Sequence, residues 1–375
     1  MPFNGRALRS IIDEDGTLRL SLEDVSWNDP GDDEIVVRIE ATPINPSDLG
    51  LLLGPADVST LRPLSNEALP GLVFTVPENR LKSVSGRLGQ ALSIGNEGAG
   101  TVIAAGRNAR RLEGKKVGMV GGAMYADYRL IQAKEVTLLP DGVSAADGAS
   151  MFVNPLTALG FVETARREGH CAIVHSAAAS NLGQMLQRIC LADGIPLINI
   201  VRSQEQADIL RKIGATYVLN SQDADFQNAL TDALAETGAT IAFDPIGGGP
   251  LATQIIQSME RVAVSRMEKY NRYGSEVFKQ LYVYGALNPA PIILDRLSFG
   301  FEWSVSGWLL FPFLRKAGEE VATRLRQRVV DELTTTFQSH YTQVIGLAQA
   351  LQPQILRAYE RRATGEKFLI DPTLG

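Results

Sequence analysis

Apolar and polar residues alternate in a regular way in the middle of the chain. A short apolar run at 171–175 is followed by a loop of small residues, SAAASN, and then by apolar positions at helical spacing. These positions are Leu182, Met185, Leu186, Ile189 and Cys190. A second apolar run at 196–201 follows at once. The pattern predicts a βαβ unit, because parallel strands need a crossover between them.

The same alternation continues to about residue 310. Further apolar runs that predict strands lie at 217–220, 240–245, 280–287 and 302–310. Further amphipathic segments that predict helices lie at 151–169, 203–215 and 225–238. Alternating strands and helices with short connections are typical of a doubly wound α/β domain with a parallel sheet. The charged segment 259–277 is longer than a crossover needs, and we interpret it as an inserted helix or loop.

The first 150 residues show a different pattern. Short alternating runs bounded by Gly, Pro and Asp lie at 17–27, 34–45, 98–106 and 115–122. They predict a mainly antiparallel, barrel-like β domain. The segment 54–92 carries several prolines and glycines and is predicted to be a long surface excursion.

Two helical patterns and a closing strand follow the α/β region. The helices are predicted at 315–328 and 341–362, and the strand at 367–372. We expect both helices to pack against the first domain, which makes that domain discontinuous. The predicted domains are therefore 1–150, completed by about 320–375, and 151–319.

Composition narrows the possible classes of protein. The chain has 375 residues, of which 45% are hydrophobic, so it can bury a large core. Its net charge of -6 argues against nucleic acid or an anionic membrane as the main partner. No long apolar stretch is present, and the start of the chain lacks the pattern of a signal peptide, so we expect a soluble, cytoplasmic protein. Cys171 and Cys190 are expected to be buried free thiols.

The loop before Leu182 is a candidate phosphate-binding turn. Amides at the start of a helix can hold a pyrophosphate, and small residues let the phosphates approach the backbone. Aligned with the dinucleotide fingerprint G-x-G-x-x-G, the loop has Ala178 and Ser180 at the first two glycine positions and keeps only Gly183. Taken alone, this pattern also fits an ordinary turn between a strand and a helix.

Several motifs in order along the chain resemble one superfamily. They are INPSD (44–48), GNEGAGTV (95–102), VNPLTA (153–158), the loop ending at Gly183, INIVR (198–202), IGA (213–215) and TGEKFLIDP (364–372). Together they resemble the medium-chain dehydrogenase/reductase superfamily. Within it they resemble the zinc-independent branch of NADPH:quinone oxidoreductases and 2-enoyl thioester reductases. The resemblance implies a Rossmann-type doubly wound parallel sheet that binds NADP, plus a mainly antiparallel β, GroES-like catalytic domain.

The resemblance also bears on zinc. In zinc-dependent members a Cys would stand at Asn45 and a His at Asn96, and a separate lobe would carry four Cys. This chain has Asn at both positions, two Cys in all and three His without ligand spacing. We therefore predict neither a catalytic nor a structural metal.

The cofactor prediction depends on the end of the second Rossmann strand. An acidic residue there would repel a 2′-phosphate, but the strand is followed by Arg202 and Ser203, and arginine offers a fork for phosphate. NADPH is therefore predicted, although Gln206 and Ser221 stand where quinone reductases often carry Lys and Tyr. The cofactor-binding residues implied by the resemblance are Asn154, Ser180, Asn181, Leu182, Gly183, Arg202, Ser203, Gly285, Ala286, Gly307 and Trp308.

Two residues are predicted to be catalytic by resemblance. Asn45 is placed to hydrogen-bond an acceptor carbonyl or the nicotinamide, and Thr157 lies near the nicotinamide ribose. Both have a structural alternative: Asn45 beside Pro46 could cap a turn, and the Thr157 hydroxyl could bond to its own helix backbone.

The proton donors of these relatives have no counterpart in this chain. Enoyl thioester reductases of this group carry a Tyr shortly after INPSD, whereas this chain has Ala56 at that approximate position and no Tyr nearby. The Tyr and Arg of quinone reductases are replaced by Gly50 and Leu52. A quinone can take its protons from water, which favours quinone or enone reduction.

Three interpretations stay open. The first is an NADPH-dependent reductase of a small quinone or α,β-unsaturated carbonyl. The second is a trans-2-enoyl thioester reductase, for which Arg80, Lys82 and Arg87 could bind a carrier's phosphates. The third is a non-catalytic NADPH-binding protein. The apolar strands at 281–287 and 304–310 resemble the dimerising strands of the superfamily, and we predict a homodimer.

Overall fold

The computed structural model describes residues 2–64 and 69–374. The chain forms two compact units. One comprises Met1–Val153 and Glu332–Gly375, and the other comprises Asn154–Asp331. The boundaries predicted from the sequence were near 150 and 320, and the structure has the second one after 331.

The first unit begins with ten strands and three single-turn helices. The strands are β1 (Phe3–Ile12), β2 (Thr17–Trp27), β3 (Glu34–Pro43), β4 (Asp57–Pro63), β5 (Gly71–Thr75), β6 (Leu92–Ser93), β7 (Glu97–Ala105), β8 (Lys116–Val120), β9 (Tyr128–Gln132) and β10 (Val136–Leu138). The helices are α1 (Leu49–Leu52), α2 (Glu78–Leu81) and α3 (Ala145–Gly148). Short 3-10 turns lie at Lys82–Arg87, Arg107–Leu112 and Ala133–Glu135.

One sheet of this unit has the order β4-β5-β2-β1-β6. Its formation corrects the prediction that 54–92 is a surface excursion, because that segment supplies β4, β5 and β6. Leu72, Phe74 and Val76 are buried in the hydrophobic core beneath the sheet. Pro63 ends β4 and Pro70 directly precedes β5, positions where a missing N–H is tolerated, and Pro77 is the N-cap of α2.

The second unit has the alternating architecture that the sequence predicts. Its helices are α4 (Val153–Arg167), α5 (Asn181–Asp193), α6 (Gln204–Lys212), α7 (Phe226–Thr237), α8 (Leu251–Ser265), α9 (Leu310–Ala317) and α10 (Glu319–Asp331). Its strands are β11 (Ile173–Ser176), β12 (Leu197–Val201), β13 (Tyr217–Asn220), β14 (Ile241–Asp244), β15 (Gly247–Gly249), β16 (Lys279–Val283), β17 (Asn288–Ile292) and β18 (Trp303–Gly307). A 3-10 turn lies at Arg296–Ser298.

Six of these strands form one parallel sheet of order β13-β12-β11-β14-β16-β18. Numbered along the chain, this is the 3-2-1-4-5-6 order of the dinucleotide-binding fold, in which ligands bind where the strand order reverses beside the first strand. The predicted fold class is confirmed. Continuous buried runs such as β11 and β12 form the central strands because helices cover both faces of the sheet.

The predicted insertion at 259–277 is partly helix. α8 extends to Ser265, and an irregular segment then leads to β16. Glu260 on α8 accepts hydrogen bonds from the backbone N–H of Ser275 at 2.7 Å and from its hydroxyl at 2.6 Å, and it also pairs with Lys279 at the start of β16. Lys279 is fully buried, so this ion pair fixes the returning chain against α8.

The charged helix α10 lies in the second unit, which corrects the prediction that it packs on the first. Arg324 pairs with Glu163 of α4 at 2.9 Å, and Arg328 pairs with Asp193 of α5 at 2.9 Å. Buried Ala322, Leu325 and Val329 lie on the apolar face of α10. The charge pattern alone does not show which domain supplies the acidic partners.

The chain then returns to the first unit. It contributes β19 (Gln343–Ile345), a 3-10 turn at Gln349–Leu351, α11 (Pro353–Glu360) and β20 (Phe368–Ile370). A sheet of order β10-β8-β7-β3-β20-β19 results, with β9 also paired to β3. The helix predicted over 341–362 is thus wrong in its first half. Pro353 starts α11, where a residue without an N–H is well tolerated.

The two cysteines differ in their burial. Both cysteines are free; Cys190 is buried as expected, and burial raises the pKa of its thiol to about 12. Cys171 is exposed, which corrects that prediction, because it lies before β11 rather than within it. None of the helices in the described part of the chain combines the length and apolar character needed to cross a bilayer.

Candidate functional site

The turn between β11 and α5 is built tightly. Ala177 has a positive φ of 49°, and the Ser180 hydroxyl caps α5 by accepting a hydrogen bond from the Gly183 N–H at 3.2 Å. An ideal Cβ at Gly183 would lie 2.6 Å from the carbonyl carbon of Ala178 and closer still to its oxygen. Only glycine therefore allows the turn to pack on the first turn of α5. This close approach of helix and loop is what the third glycine of the dinucleotide fingerprint provides.

The two replaced glycine positions have defined roles in the turn. Ala178 is fully buried and packs with Val201, Ala207 and Leu210 in a small hydrophobic cluster. Ser180 supplies the helix cap. The turn thus keeps a capped helix N-terminus, which is the feature that binds anions.

An arginine without an ionic partner follows β12. Arg202 is exposed, and within the described part of the chain its side chain forms no ion pair. Its backbone N–H donates to the Gln206 side chain at 3.0 Å, and the Ser203 hydroxyl caps α6 by accepting from the Gln206 N–H. A guanidinium beside a capped helix N-terminus is well suited to a phosphate group.

The predicted α4 residues are buried within the second unit. Asn154 is 9% exposed and Thr157 is 7% exposed. Among the described residues, none forms a hydrogen bond with the Thr157 hydroxyl. By contrast, the hydroxyls of Thr231 and Thr237 on α7 donate to the backbone carbonyls four residues earlier in the helix. The structural alternative for Thr157, a bond to its own helix backbone, is therefore not what the structure shows.

The predicted cofactor residues near the ends of β16 and β18 differ in how tightly they are packed. Gly285 packs on Pro245, and an ideal Cβ there would lie 2.8 Å from the Pro245 carbonyl oxygen; Ala286 follows it. Gly307 ends β18, and an ideal Cβ there is 4.0 Å from the nearest heavy atom. Trp308 is 6% exposed and its indole N–H donates to the Thr164 hydroxyl at 3.1 Å. Trp308 is thus a packed core residue.

Asn45 lies directly after β3 in the first unit and is 2% exposed. Its Nδ2 donates to Glu97 Oε1 at 2.8 Å, while Glu97 Oε2 accepts from the backbone N–H groups of Phe152 and Val153 at 2.9 Å each. The turn-capping role belongs to Asp48, whose carboxylate accepts from the backbone N–H of Asn45 and of Asn96, both at 2.8 Å. Asn45 itself is left with a buried Oδ1 that has no partner.

A group of titratable residues surrounds Asn45 that the sequence analysis did not single out. Burial raises the pKa of Asp48 to about 7 and raises the pKa of Glu97. Burial lowers the pKa of Lys367 to about 8, against the charges of Glu97 and Asp48. Lys367 donates to the Ser150 hydroxyl at 2.9 Å. All three residues belong to quoted motifs, Lys367 to TGEKFLIDP. That motif lies far along the chain from Asn45, so the sequence does not indicate that Lys367 lies near it.

The sequence has no tyrosine between Asn45 and Leu92, and the nearby acid Asp48 is 1% exposed with its carboxylate bonded to two backbone N–H groups. Leu52 on α1 is 1% exposed and Ala56 is 8% exposed, so both pack in the core. The basic residues of 54–92 are partly used for structure, because Arg80 donates to the Pro55 carbonyl at 3.3 Å and Arg87 donates to the Leu51 carbonyl at 3.3 Å.

The amide that stands in place of a zinc ligand has a protein partner. Asn96, at the position where a zinc-dependent relative has His, donates to the Ser47 hydroxyl at 3.0 Å. Across residues 2–64 and 69–374, His, Cys, Asp and Glu side chains nowhere group in threes that could hold a metal ion.

Comparison with known proteins supports this description. A family model for zinc-binding dehydrogenases matches residues 182–264, which span α5 to α8. A mitochondrial enoyl-[acyl-carrier-protein] reductase from Xenopus tropicalis is 28% identical over 234 residues, which cover 59% of this chain and 58% of that protein. The match therefore spans less than two thirds of that relative's length.

Two solved structures show the same fold over the whole chain. A structure described as that of an NADPH:quinone reductase from Mesorhizobium loti has a TM-score of 0.72 and 24% identity and covers 99% of both chains. The structure of an Etr1p/NADP/crotonyl-CoA complex has a TM-score of 0.69 and 18% identity and covers 98% of this chain and all of that one. These likenesses show the fold of the chain, with which the strand order and the family model matched over residues 182–264 agree.

Proposed function

We propose that this protein is an NADPH-dependent oxidoreductase that reduces a small quinone or α,β-unsaturated carbonyl without zinc. The observation that carries the proposal is Arg202, an exposed guanidinium that has no ionic partner among the described residues and follows the second strand of the predicted nucleotide-binding sheet. Neither neighbour of Arg202 in the sequence, Val201 or Ser203, is an Asp or Glu that would repel a 2′-phosphate. NADPH fits these residues better than NADH does.

The residues of the second unit have separate roles toward the cofactor. The N–H groups at the start of α5, at Asn181 and Leu182, would hold the diphosphate. Ser180 fixes the helix start by accepting from the Gly183 N–H, and Gly183 would let the phosphates approach the turn closely. Arg202 and Ser203 would bind the 2′-phosphate. When bound, NADPH supplies a hydride, so the protein's task is to position the acceptor and exclude water.

Further predicted contacts complete this proposal. The unbonded Thr157 hydroxyl would bind the ribose next to the nicotinamide. Asn154, Gly285, Ala286 and Gly307 stay predicted cofactor contacts, and Trp308 would act through its packing beneath them. Asn45 stays the predicted polar contact in the first unit.

The missing acid distinguishes between the acceptors. After hydride transfer, an enoyl thioester needs a proton at its α-carbon, and the buried Leu52 and Ala56 cannot supply one. A quinone gains its protons on oxygen, where water can deliver them. We therefore favour a quinone over an enoyl thioester as the acceptor, tested by following NADPH oxidation with p-benzoquinone and with crotonyl-CoA. Faster turnover of crotonyl-CoA, rising with acyl chain length, would contradict this preference.

Enoyl thioester reduction is the second candidate. The Xenopus tropicalis relative is an enoyl-[acyl-carrier-protein] reductase, and exposed Lys82 stands with Arg80 and Arg87 on the segment 78–87. A non-catalytic NADPH-binding protein is the third. Saturable NADPH oxidation by either acceptor would exclude it.

We also propose a homodimer and a cytoplasmic location. β18 is an outer strand of the six-stranded sheet, and exposed Leu309 and Phe311 follow it. An outer strand with apolar side chains nearby offers unpaired backbone groups to which another chain can pair. A second copy of this chain, extending the sheet at β18, would cover it.

A further inference from the structure

The central strand β11 carries a histidine whose side chain is fully buried. His175 is 0% exposed, and its Nε2 lies 2.8 Å from the hydroxyl oxygen of Tyr284. Within the described part of the chain, its Nδ1 is buried and has no hydrogen-bond partner. Whichever ring nitrogen carries the proton, one polar atom is left unsatisfied in the core, which destabilises the fold. An aliphatic side chain would avoid this penalty, so stability alone does not account for a histidine here.

The hydrogen bond between His175 and Tyr284 crosses the parallel sheet. Tyr284 directly follows β16, and β14 lies between β11 and β16 in the strand order. The two rings are stacked, with their centroids 5.9 Å apart and their planes inclined by 14°. Phe161 of α4 packs against both, with its centroid 6.1 Å from that of His175 and 4.7 Å from that of Tyr284. The bond therefore ties the chain that leaves β16 to the centre of the sheet.

Both bonded groups are neutral near pH 7. Burial lowers the pKa of His175 to about 3, and burial together with the charge of Asp244 raises the pKa of Tyr284 well above its usual value of 10. The imidazole therefore carries one proton, and the phenol keeps its own. This uncharged contact can hold two strands in place, but it is not suited to release or take up a proton.

The turn after Tyr284 contains backbone donors without a partner. The N–H groups of Tyr284 and Leu287 donate to backbone carbonyls, both at 3.0 Å. Between them, the N–H groups of Gly285 and Ala286 donate to none of the described residues. Gly285 is partly buried and Ala286 is exposed, so the turn is accessible from solvent. It lies at the carboxyl end of β16, on the edge of the sheet where this fold binds ligands.

We propose that His175 and Tyr284 are positioning residues for the nicotinamide end of the bound cofactor. Their hydrogen bond holds the turn at Gly285 and Ala286, whose two N–H groups donate to the carboxamide oxygen of the nicotinamide. The inference rests on the proposed function. It goes beyond the predicted cofactor contacts, because it assigns the two side chains that hold them in place. The unsatisfied Nδ1 follows from placing a polar partner for Tyr284 in an apolar core.

Binding measurements with two ligands test the proposal. NADPH carries the nicotinamide, and 2′-phospho-ADP-ribose is the corresponding molecule without it. Tyr284→Phe removes the hydroxyl and keeps the ring. Its dissociation constant for NADPH should be about three- to tenfold higher than that of the wild type, the effect of one hydrogen bond, whereas its affinity for 2′-phospho-ADP-ribose should not change. Isothermal titration calorimetry of the full chain measures both affinities.

Two further variants and a control sharpen the result. His175→Leu should have the same effect as Tyr284→Phe, and the double variant should lose no more than either, because all three lack the same bond. Tyr284→Phe decides the question if His175→Leu does not fold. Tyr282→Phe is the matched control, because it removes the same group from the same face two residues earlier, where the hydroxyl donates to Glu168 at 2.7 Å. It should bind both ligands as the wild type does.

The outcomes separate this inference from the proposed function. Equal weakening of both ligands in Tyr284→Phe would show that the bond only supports the fold, and unchanged binding of both would show that the turn is held without it. Either result overturns the inference and leaves NADPH binding in place. A wild type that binds NADPH no more tightly than 2′-phospho-ADP-ribose overturns it in the same way. A wild type that binds neither ligand overturns both the inference and the proposed function.

Discussion

At the scale of single residues, Gly183 is the most constrained position of the candidate nucleotide-binding turn. Gly183→Ala should lower the free energy of unfolding by about 1–3 kcal/mol, because its Cβ would overlap the Ala178 carbonyl group. NADPH affinity should fall with it. Denaturant unfolding and a binding titration measure the two effects. Gly86→Ala is the control: no heavy atom lies within 4 Å of its ideal Cβ, so it should be neutral. Equal stability of both variants would show that the turn can relax.

Lys367 gives a prediction about pH. Burial lowers its pKa to about 8 from the usual 10.5, so between these values the unfolded chain binds more protons than the folded one. Stability therefore gains a contribution as pH rises through this window, and below about 8 the burial penalty is fully present. Lys367→Met should reduce the slope of the unfolding free energy against pH, measured by urea unfolding at several pH values.

The control for this experiment is Lys316→Met, which removes an exposed lysine of α9. Its slope should match the wild type. An unchanged slope in Lys367→Met would mean that Lys367 is solvated in solution.

The role of a residue could be predicted from the sequence where the residues it contacts are close to it along the chain. Gly183 and Arg202 could be identified because their roles depend on the strand and helix beside them in the chain. The orientation of Asn45 could not, because it is set by Glu97 and Lys367, which reach it only through the folded sheets. Trp308 is predicted to contact the cofactor, but its indole bonds to Thr164 in the core. Because Thr164 lies far from Trp308 in the sequence, this bond could not be predicted.

At the scale of elements, the connection from α8 to β16 depends on a buried ion pair. Lys279→Met leaves the Glu260 carboxylate buried without its cation, and we expect a loss of about 3–5 kcal/mol in unfolding free energy. The double variant Glu260→Leu with Lys279→Met removes both charges and should be more stable than Lys279→Met alone. Thermal and denaturant unfolding of the three proteins measure this. A double variant less stable than the single one would contradict the account.

Most elements of the second unit could be predicted because their hydrophobic periods are long and uninterrupted. β13 coincides with the predicted run at 217–220, and α7 differs from its prediction by one residue at each end. The errors fall where short-range patterns are ambiguous. The prolines in 54–92 predict a loop, but Pro63 and Pro70 lie at the ends of strands. The apolar residues of 341–362 predict one helix, but they belong to β19, a 3-10 turn and α11.

At the scale of the whole molecule, the free edge of β18 bears on assembly. Leu309 is 64% exposed just beyond that edge, and Leu309→Glu should weaken a homodimer at least about tenfold by placing a charge in an apolar contact. Sedimentation velocity over a range of concentrations measures the association. Val344→Glu alters a 51% exposed residue of the first unit and should leave association unchanged. A monomeric wild type would disprove the proposed dimer.

The proposed function depends on NADPH binding to the second unit through the capped turn and Arg202. The most direct test is a fluorescence titration of the wild type and of Arg202→Ala with NADPH and with NADH. The account predicts that the wild type prefers NADPH, and that Arg202→Ala loses about 2 kcal/mol of binding free energy for NADPH while its affinity for NADH is nearly unchanged. Equal affinity of the wild type for both nucleotides, or no binding of either, would contradict it.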